Sequence, residues 1–263
     1  MKALKVVMDG VTTSFRYPHF LAGSHPSLPL PPPSTIYGHV CSALGSLVEP
    51  HALRFAYMFA RGGTADDIEH LHIIYEVLAG RRGRRRKGGA DHNNAAPNLR
   101  AQVGPVNREV MLFPHLELYI AADDEALLRR LRDGFECPAY PVVLGRSQDL
   151  CSYKSVKVVS LERSGLAYYE GTILPWSYRL RTTGGFMLRM AAFIDPEERR
   201  RVTWQDYLAF PERAFLEAGT PSPHRVSAQD GDTEWVDPTA PIVGDKSRAV
   251  VWHSFHASRD HAQ

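Results

Sequence analysis

Leu4, Val6 and Met8 alternate with Lys5, Val7 and Asp9 near the start of the chain, the two-residue period of a half-buried strand. The pattern breaks at Pro31, Pro32 and Pro33, which can continue neither a ladder nor a helix and so force a turn. Beyond them Ile36, Val40, Leu44 and Leu47 recur at helical spacing and define one buried face, with His39, Ser42 and Ser46 on another. Ser34 or Thr35 is placed to cap this helix, which should run to about Gly45. Arg54 to Phe59 and His70 to Leu78, rich in aromatic and branched residues, read as strands, as does Val110 to Ala121, interrupted by Pro114. A second helix is expected from Asp123 and Asp124, burying Leu127, Leu128 and Leu131, with Arg129, Arg130 and Arg132 toward its end and Gly134 as a left-handed stop. Tyr153 to Leu161 then alternates as a closing strand.

Strand, helix, two strands, helix and strand in that order make an α+β chain on the RRM/ferredoxin-like plan. We assign it to residues 1–165. The interval 79–109 lies between its central strands and holds Gly80, Gly83, Gly88, Gly89, Asn93 and Asn94 with many arginines, so it should project as a flexible excursion. Residues 166–263 form a C-terminal extension or small β-rich subdomain, mostly β or irregular. Tyr168 to Leu174 suggests a strand, Phe186 to Ile194 a partner for it, and Asp195 to Arg201 an exposed helical turn. Pro211, Pro221, Pro223, Pro238 and Pro241 imply irregular structure thereafter, and residues 253–263 a solvated tail.

Charge distribution adds more than the net value of +2. Arg81, Arg82, Arg84, Arg85, Arg86, Lys87, Arg100 and Arg108 are opposed between 81 and 108 by Asp91 alone, whereas 226–245 holds Asp230, Asp232, Glu234, Asp237 and Asp245 and no Lys or Arg. One part of the molecule suits polyanions, and the planar guanidinium fork that dominates it suits phosphate and stacked bases. With 44% hydrophobic and 23% charged residues, the 263-residue chain reads as globular. No apolar run is long enough to span a bilayer and no signal-peptide core follows Met1-Lys2, so a cytoplasmic location and no membrane partner are expected. Cys41, Cys137 and Cys151 form no Cys-x-x-Cys pair and are expected as free, mostly buried thiols.

Two motifs carry a resemblance. Ser14-Phe15-Arg16, the prolines 31–33, Ser34-Thr35-Ile36-Tyr37-Gly38 and Leu44-Gly45 form the first; Tyr140-Pro141-Val142-Val143-Leu144-Gly145-Arg146-Ser147-Gln148-Asp149-Leu150 forms the second. Over roughly the first 160 residues the chain resembles the CRISPR-associated Cas-five family of RAMP proteins, closest to those of type I-B. That resemblance implies an RRM-like RAMP domain, a β-hairpin thumb where the basic excursion lies, and a non-catalytic subunit of a type I Cascade complex that caps the 5′ handle of guide RNA. It further implies as partners the guide RNA, a Cas-seven-like backbone subunit and a Cas-eight-like large subunit, with target DNA as a further candidate. The candidate RNA contacts are Arg16, Ser34, Thr35, Tyr37, Gly38, Arg81, Arg82, Arg84, Arg85, Arg86, Lys87, Arg100, Arg108, Gly145, Arg146, Ser147 and Gln148. Gly38 and Gly145 admit a close backbone approach, and the hydroxyl, amide and guanidinium groups donate to phosphate. Phe15, Tyr17 and Tyr153 read as core, Tyr37 as exposed on the helix start; Arg146 has a structural alternative in pairing with Asp149 or Glu136.

An enzymatic alternative stays open, because type I-C relatives cut the repeat without metal. Such cleavage needs a base for the 2′-hydroxyl and a cation for the developing oxyanion, and Tyr37, Lys87 and His92 could supply them. The chain lacks the adjacent Lys-His pair of those relatives, so the expectation is no enzyme activity. His70 and His72, or His253 and His256, come without a carboxylate nest, and neither metal nor cofactor is expected. A third reading makes the chain mainly a protein-docking scaffold.

Overall fold

The computed structural model describes residues 1–20, 23–77, 98–180, 184–198, 201–211 and 233–255, with the backbone alone for 73–77 and 98–102. Along the chain run β1 (Lys2–Gly10), α1 (Pro33–Leu44), β2 (Leu53–Ala60), β3 (Gly63–Val77), β4 (Asn98–Leu112), β5 (His115–Ala122), α2 (Glu125–Glu136), β6 (Cys151–Ser160), β7 (Thr172–Pro175), β8 (Phe186–Ile194) and β9 (Val202–Phe210). The central antiparallel sheet is ordered β2-β5-β1-β6, and the short strand His253–Ser254 extends it beyond β2. Leu4, Val6 and Met8 sit opposite Ile120, Leu118 and Leu116. All six point to the helical face, where they share one core with Ile36, Val40, Leu131 and Phe135. Strand alternation sends Lys5, Glu117 and Tyr119 to the other face.

That second face is covered too. Lys5 Nζ lies 2.7 Å from Glu117 and 2.8 Å from Asp237. Arg248 reaches Glu117 at 2.7 Å, and the Tyr119 hydroxyl donates to Asp237 at 2.9 Å. Burial opposes ionisation of Glu117, but His115, Arg248 and Lys5 hold its carboxyl well below the usual range. Around these charges Ala3, Ala56, Val159 and Val250 pack with Trp235 and Trp252. Residues 234–252 thereby fasten to the sheet through Asp237 and Arg248, which pair the buried Lys5 and Glu117.

Local chemistry accounts for the helix ends and corrects two expectations. Pro32 in extended conformation is the N-cap of α1, Pro33 starts it, and no side chain caps it, so Ser34 and Thr35 lie inside the first turn. Gly45, at φ 69°, ends it as expected. Asp124 caps α2 by accepting a bond from Ala126 N at 2.8 Å. Gly134 does not stop that helix; a Cβ there would lie 2.8 Å from Leu44 Cδ2, so the glycine lets α2 approach α1. Leu47 is 58% exposed rather than part of the stripe, whereas His39 is buried. Of the three thiols Cys41 is buried, Cys151 half-buried and Cys137 exposed.

The stretch expected as one strand, Val110 to Ala121, is two. Phe113 takes a positive φ of 50° and Pro114 cannot donate, so the chain turns between β4 and β5. β3 and β4 pair antiparallel from Gly63↔Leu112 to Val77↔Asn98, so the projection between the central strands begins near 63 rather than 79. In the C-terminal part β8 does not pair with the strand at 172–175; β9 lies between them. Asp195, whose side chain accepts from the amides of Glu197 and Glu198 at 2.9 and 3.1 Å, opens the turn from β8 to β9. His253 and Phe255 are buried, not part of a solvated tail, and Phe255 stacks on Phe55 at 4.5 Å.

Candidate nucleic-acid interface

An open cleft of about 740 Å³ gathers segments far apart in sequence. One bank is Ser14 to Arg16 with Ser34 and Thr35 from the first turn of α1; the floor is Gly145 to Gln148 with Glu69, His70 and Arg108 from the base of the β3-β4 hairpin. The far bank is Ala191, Ile194, Val202 and Trp204 from β8 and β9.

Each segment is held by its own chemistry. Phe15 is 2% exposed and packs edge-on against Phe59 at 5.6 Å. Its backbone is tied by Phe15 N donating to Ser27 Oγ at 2.9 Å and by Leu28 N donating to Phe15 O at 2.7 Å. That anchor turns Arg16 outward, where its guanidinium has no bonded partner among the described residues. Gly145 sits at φ 95°, and a Cβ on it would come within 2.6 Å of Thr13 Oγ1 and 2.7 Å of Ser14 O. A glycine is therefore required where the loop crosses the 13–14 backbone. Thr13 Oγ1 donates to Leu144 O at 2.6 Å and closes the junction.

Arg146 corrects the expectation of a free phosphate donor. Its Nε and Nη2 donate to the two Asp149 oxygens at 2.9 and 2.8 Å, and Nη1 donates to Glu69 at 2.6 Å and Asp67 at 3.0 Å. These bonds, led by those to Asp149, raise its pKa further above the ordinary arginine value. Arg108 donates to Glu69 at 2.6 Å, and Gln148 Nε2 donates to the same carboxylate at 3.3 Å. Two arginines thus face three carboxylates, Asp67, Glu69 and Asp149, and the floor carries no surplus of positive charge. Arg16, Ser34 and Thr35 remain as donors lining the space.

Tyr37 and Gly38 stand apart, in a separate hollow of about 330 Å³ that shares Ser34 and Ile194 with the cleft. Tyr37 is buried, not exposed; its ring meets Phe193 at 5.0 Å and Phe255 at 5.1 Å, and its hydroxyl donates to Val48 O at 2.6 Å. Burial pushes that phenol well above its ordinary pKa, the opposite of what a base for a 2′-hydroxyl needs. Gly38 has nothing within 4 Å of an added Cβ, so no close approach within the protein demands it. Arg81, Arg82, Arg84, Arg85, Arg86, Lys87 and His92 lie outside the described residues, and of Arg100 only the backbone is described. Among the described residues no three His, Cys, Asp or Glu side chains are grouped to hold a metal, and no helix is long and apolar enough to cross a membrane.

The far bank escaped the sequence reading, together with His19, which stacks on Trp204 at 5.9 Å and an interplanar angle of 27°. The signal was present in the alternation Val202, Trp204, Asp206, Leu208, Phe210.

The model of the family described as CRISPR-associated protein (Cas_Cas5) matches residues 4–215. No curated protein matches the sequence. A solved structure described as a crystal structure of a CRISPR protein from Archaeoglobus fulgidus is similar with 11% identity and a TM-score of 0.47, over 97% of this chain and 100% of that one. A chain of a CRISPR RNA-guided surveillance complex is similar with 16% identity and a TM-score of 0.44, over 78% and 88%. A chain of a type III-B Cmr-beta complex bound to cognate target RNA and AMPPnP is similar with 10% identity and a TM-score of 0.40, over 85% and 86%. These structural likenesses are loose, whereas the sequence match spans most of the chain, and by that match the protein belongs to the CRISPR-associated Cas-five family.

Proposed function

We propose that this chain is a non-catalytic RNA-binding subunit of a type I CRISPR surveillance complex, gripping the 5′ handle of guide RNA in the cleft described above. The observation that carries this reading is the convergence there of Ser14 to Arg16, Ser34, Thr35 and Gly145 to Gln148, segments about 130 residues apart at their extremes. In this reading β1, α1, β2, β5, α2 and β6 are the RRM/ferredoxin-like RAMP unit, residues 166–263 its extension, and the β3-β4 hairpin a thumb, the basic residues 81–87 falling between its two strands in sequence. Backbone and large subunits of the complex are its protein partners. Arg16 is the cation of the cleft that reaches phosphate; Arg146 shapes the floor by holding the loop.

One incubation of the purified protein with its repeat RNA in chelator, divided between a native and a denaturing gel, tests this. The expected result is a shift without cutting, weakened by salt. Arg16→Ala should lower affinity about tenfold and flatten the log–log salt slope by about 0.7, one phosphate's share. Unchanged affinity in Arg16→Ala would remove the cleft from the interface, and a discrete product lost in His92→Ala would make the protein a nuclease.

A further inference from the structure

The two banks of the cleft differ in chemistry. Arg16 offers a cation with no bonded partner among the described residues, while Ala191, Ile194, Val202 and Trp204 give the same cleft an apolar wall. A nucleotide has the same division, with a charged phosphate at one end and a flat apolar base at the other. We propose that Trp204, braced by His19, is a stacking platform for an unpaired base of bound RNA; this rests on the RNA-binding reading and adds a specificity-bearing residue to it.

Three observations besides its position favour Trp204. Of the four tryptophans, Trp176, Trp235 and Trp252 pack against buried apolar clusters, whereas half-buried Trp204 belongs to no such cluster among the described residues. Its ring stacks on His19 at 5.9 Å, a contact that narrows its side-chain freedom before a base arrives. Finally, the β8-β9 register shifts between Ala191 and Phe193, and Ala191 is the residue paired with Trp204. The extra residue lies on β8, so the bulge bends the strand that pairs with Trp204, a device common beside binding sites. Trp204 is the third residue of β9 and pairs with Ala191, and a strand position fixes it more firmly than a loop would.

Two single-stranded probes of equal charge separate stacking from phosphate attraction: an eight-residue oligoadenylate and the same ribose-phosphate chain without bases. Binding is followed by anisotropy at low salt. Wild type should prefer the oligoadenylate by about five- to a hundredfold, the range for one stacked base. Trp204→Ala should lose that preference while keeping the affinity and salt slope for the abasic chain, and Trp204→Phe should keep most of it. Quenching of tryptophan emission by oligoadenylate in wild type, and its loss in the well-folded Trp204→Phe, reads the contact directly should the alanine variant fail to fold. A preference that survives in Trp204→Ala, or quenching that survives in Trp204→Phe, overturns the platform and leaves the RNA-binding reading standing. No binding of either probe by wild type overturns that reading itself, and adenosine monophosphate binding as tightly as the octamer replaces both with a mononucleotide pocket.

Discussion

His39 and His253 are enclosed and uncharged. His39 Nδ1–H donates to Val143 O at 3.0 Å, which leaves Nε2 to accept from the Tyr153 hydroxyl at 2.9 Å; His253 Nε2 donates to Ile173 O at 2.8 Å. Burial holds both near a pKa of about 4. The unfolded chain takes up protons near pH 6.5 that the fold refuses, so stability is full above that value and is lost as pH falls toward 4, by up to about 3 kcal/mol for each group. Thermal melts between pH 8 and 4.5 should show this fall, and His253→Gln should roughly halve its steepness. Glu117 and Asp237, held below their usual range, add a further loss only as pH drops below about 4. Arg146 makes a second prediction. Asp149 has no exposed side-chain surface, so Arg146→Ala leaves a buried charge unpaired and should cost about 3–5 kcal/mol in urea unfolding, much of it recovered in Arg146→Ala with Asp149→Asn. Sequence disclosed the Gly145-Arg146 loop and the nearby acid. It could not disclose Asp67 and Glu69, which reach the same guanidinium from the β3 strand and turn a nominal phosphate donor into a brace.

At the scale of elements, three of the four main strands and both helices were legible because their apolar periods are local, while β5 was read as one with the end of β4. What failed was the environment of α1. Its period identifies the face toward the sheet, but β8 and the segment at 253–255 cover another, burying Tyr37 at a position that helical spacing leaves open. Those neighbours lie more than 140 residues downstream, at about the reach of no local pattern. The same blindness misassigned Gly134, whose role depends on Leu44 across the helix pair. Two substitutions there should diverge. Gly134→Ala gains about 1 kcal/mol of helix propensity, which offsets the push on a flexible leucine tip, and should be near neutral. Gly134→Val adds two more methyls to the closest point of the helix pair and should destabilise by about 1–3 kcal/mol, measured by denaturant midpoint at constant slope.

On the whole molecule, one core runs from Leu4 to Phe255 and takes Ile173, Met190 and Tyr207 from beyond residue 165. Lys5, Glu117 and Tyr119 depend on Asp237 and Arg248 for their partners. A chain truncated after residue 165 should therefore lack cooperative unfolding and bind hydrophobic dyes, whereas the full chain should melt in a single transition; calorimetry with dye binding distinguishes the two. The cleft was half visible from sequence for the same reason: its near bank and floor carry motifs, and its far bank is ordinary strand. That division has a consequence for the timing of synthesis. Arg16 leaves the ribosome roughly 190 residues before Trp204, a lag on the order of 10–40 s at common elongation rates. On the RNA-binding reading proposed above, the cation of the crevice is thus present long before its aromatic residue, and discrimination between bases would begin only after Trp204 has been made.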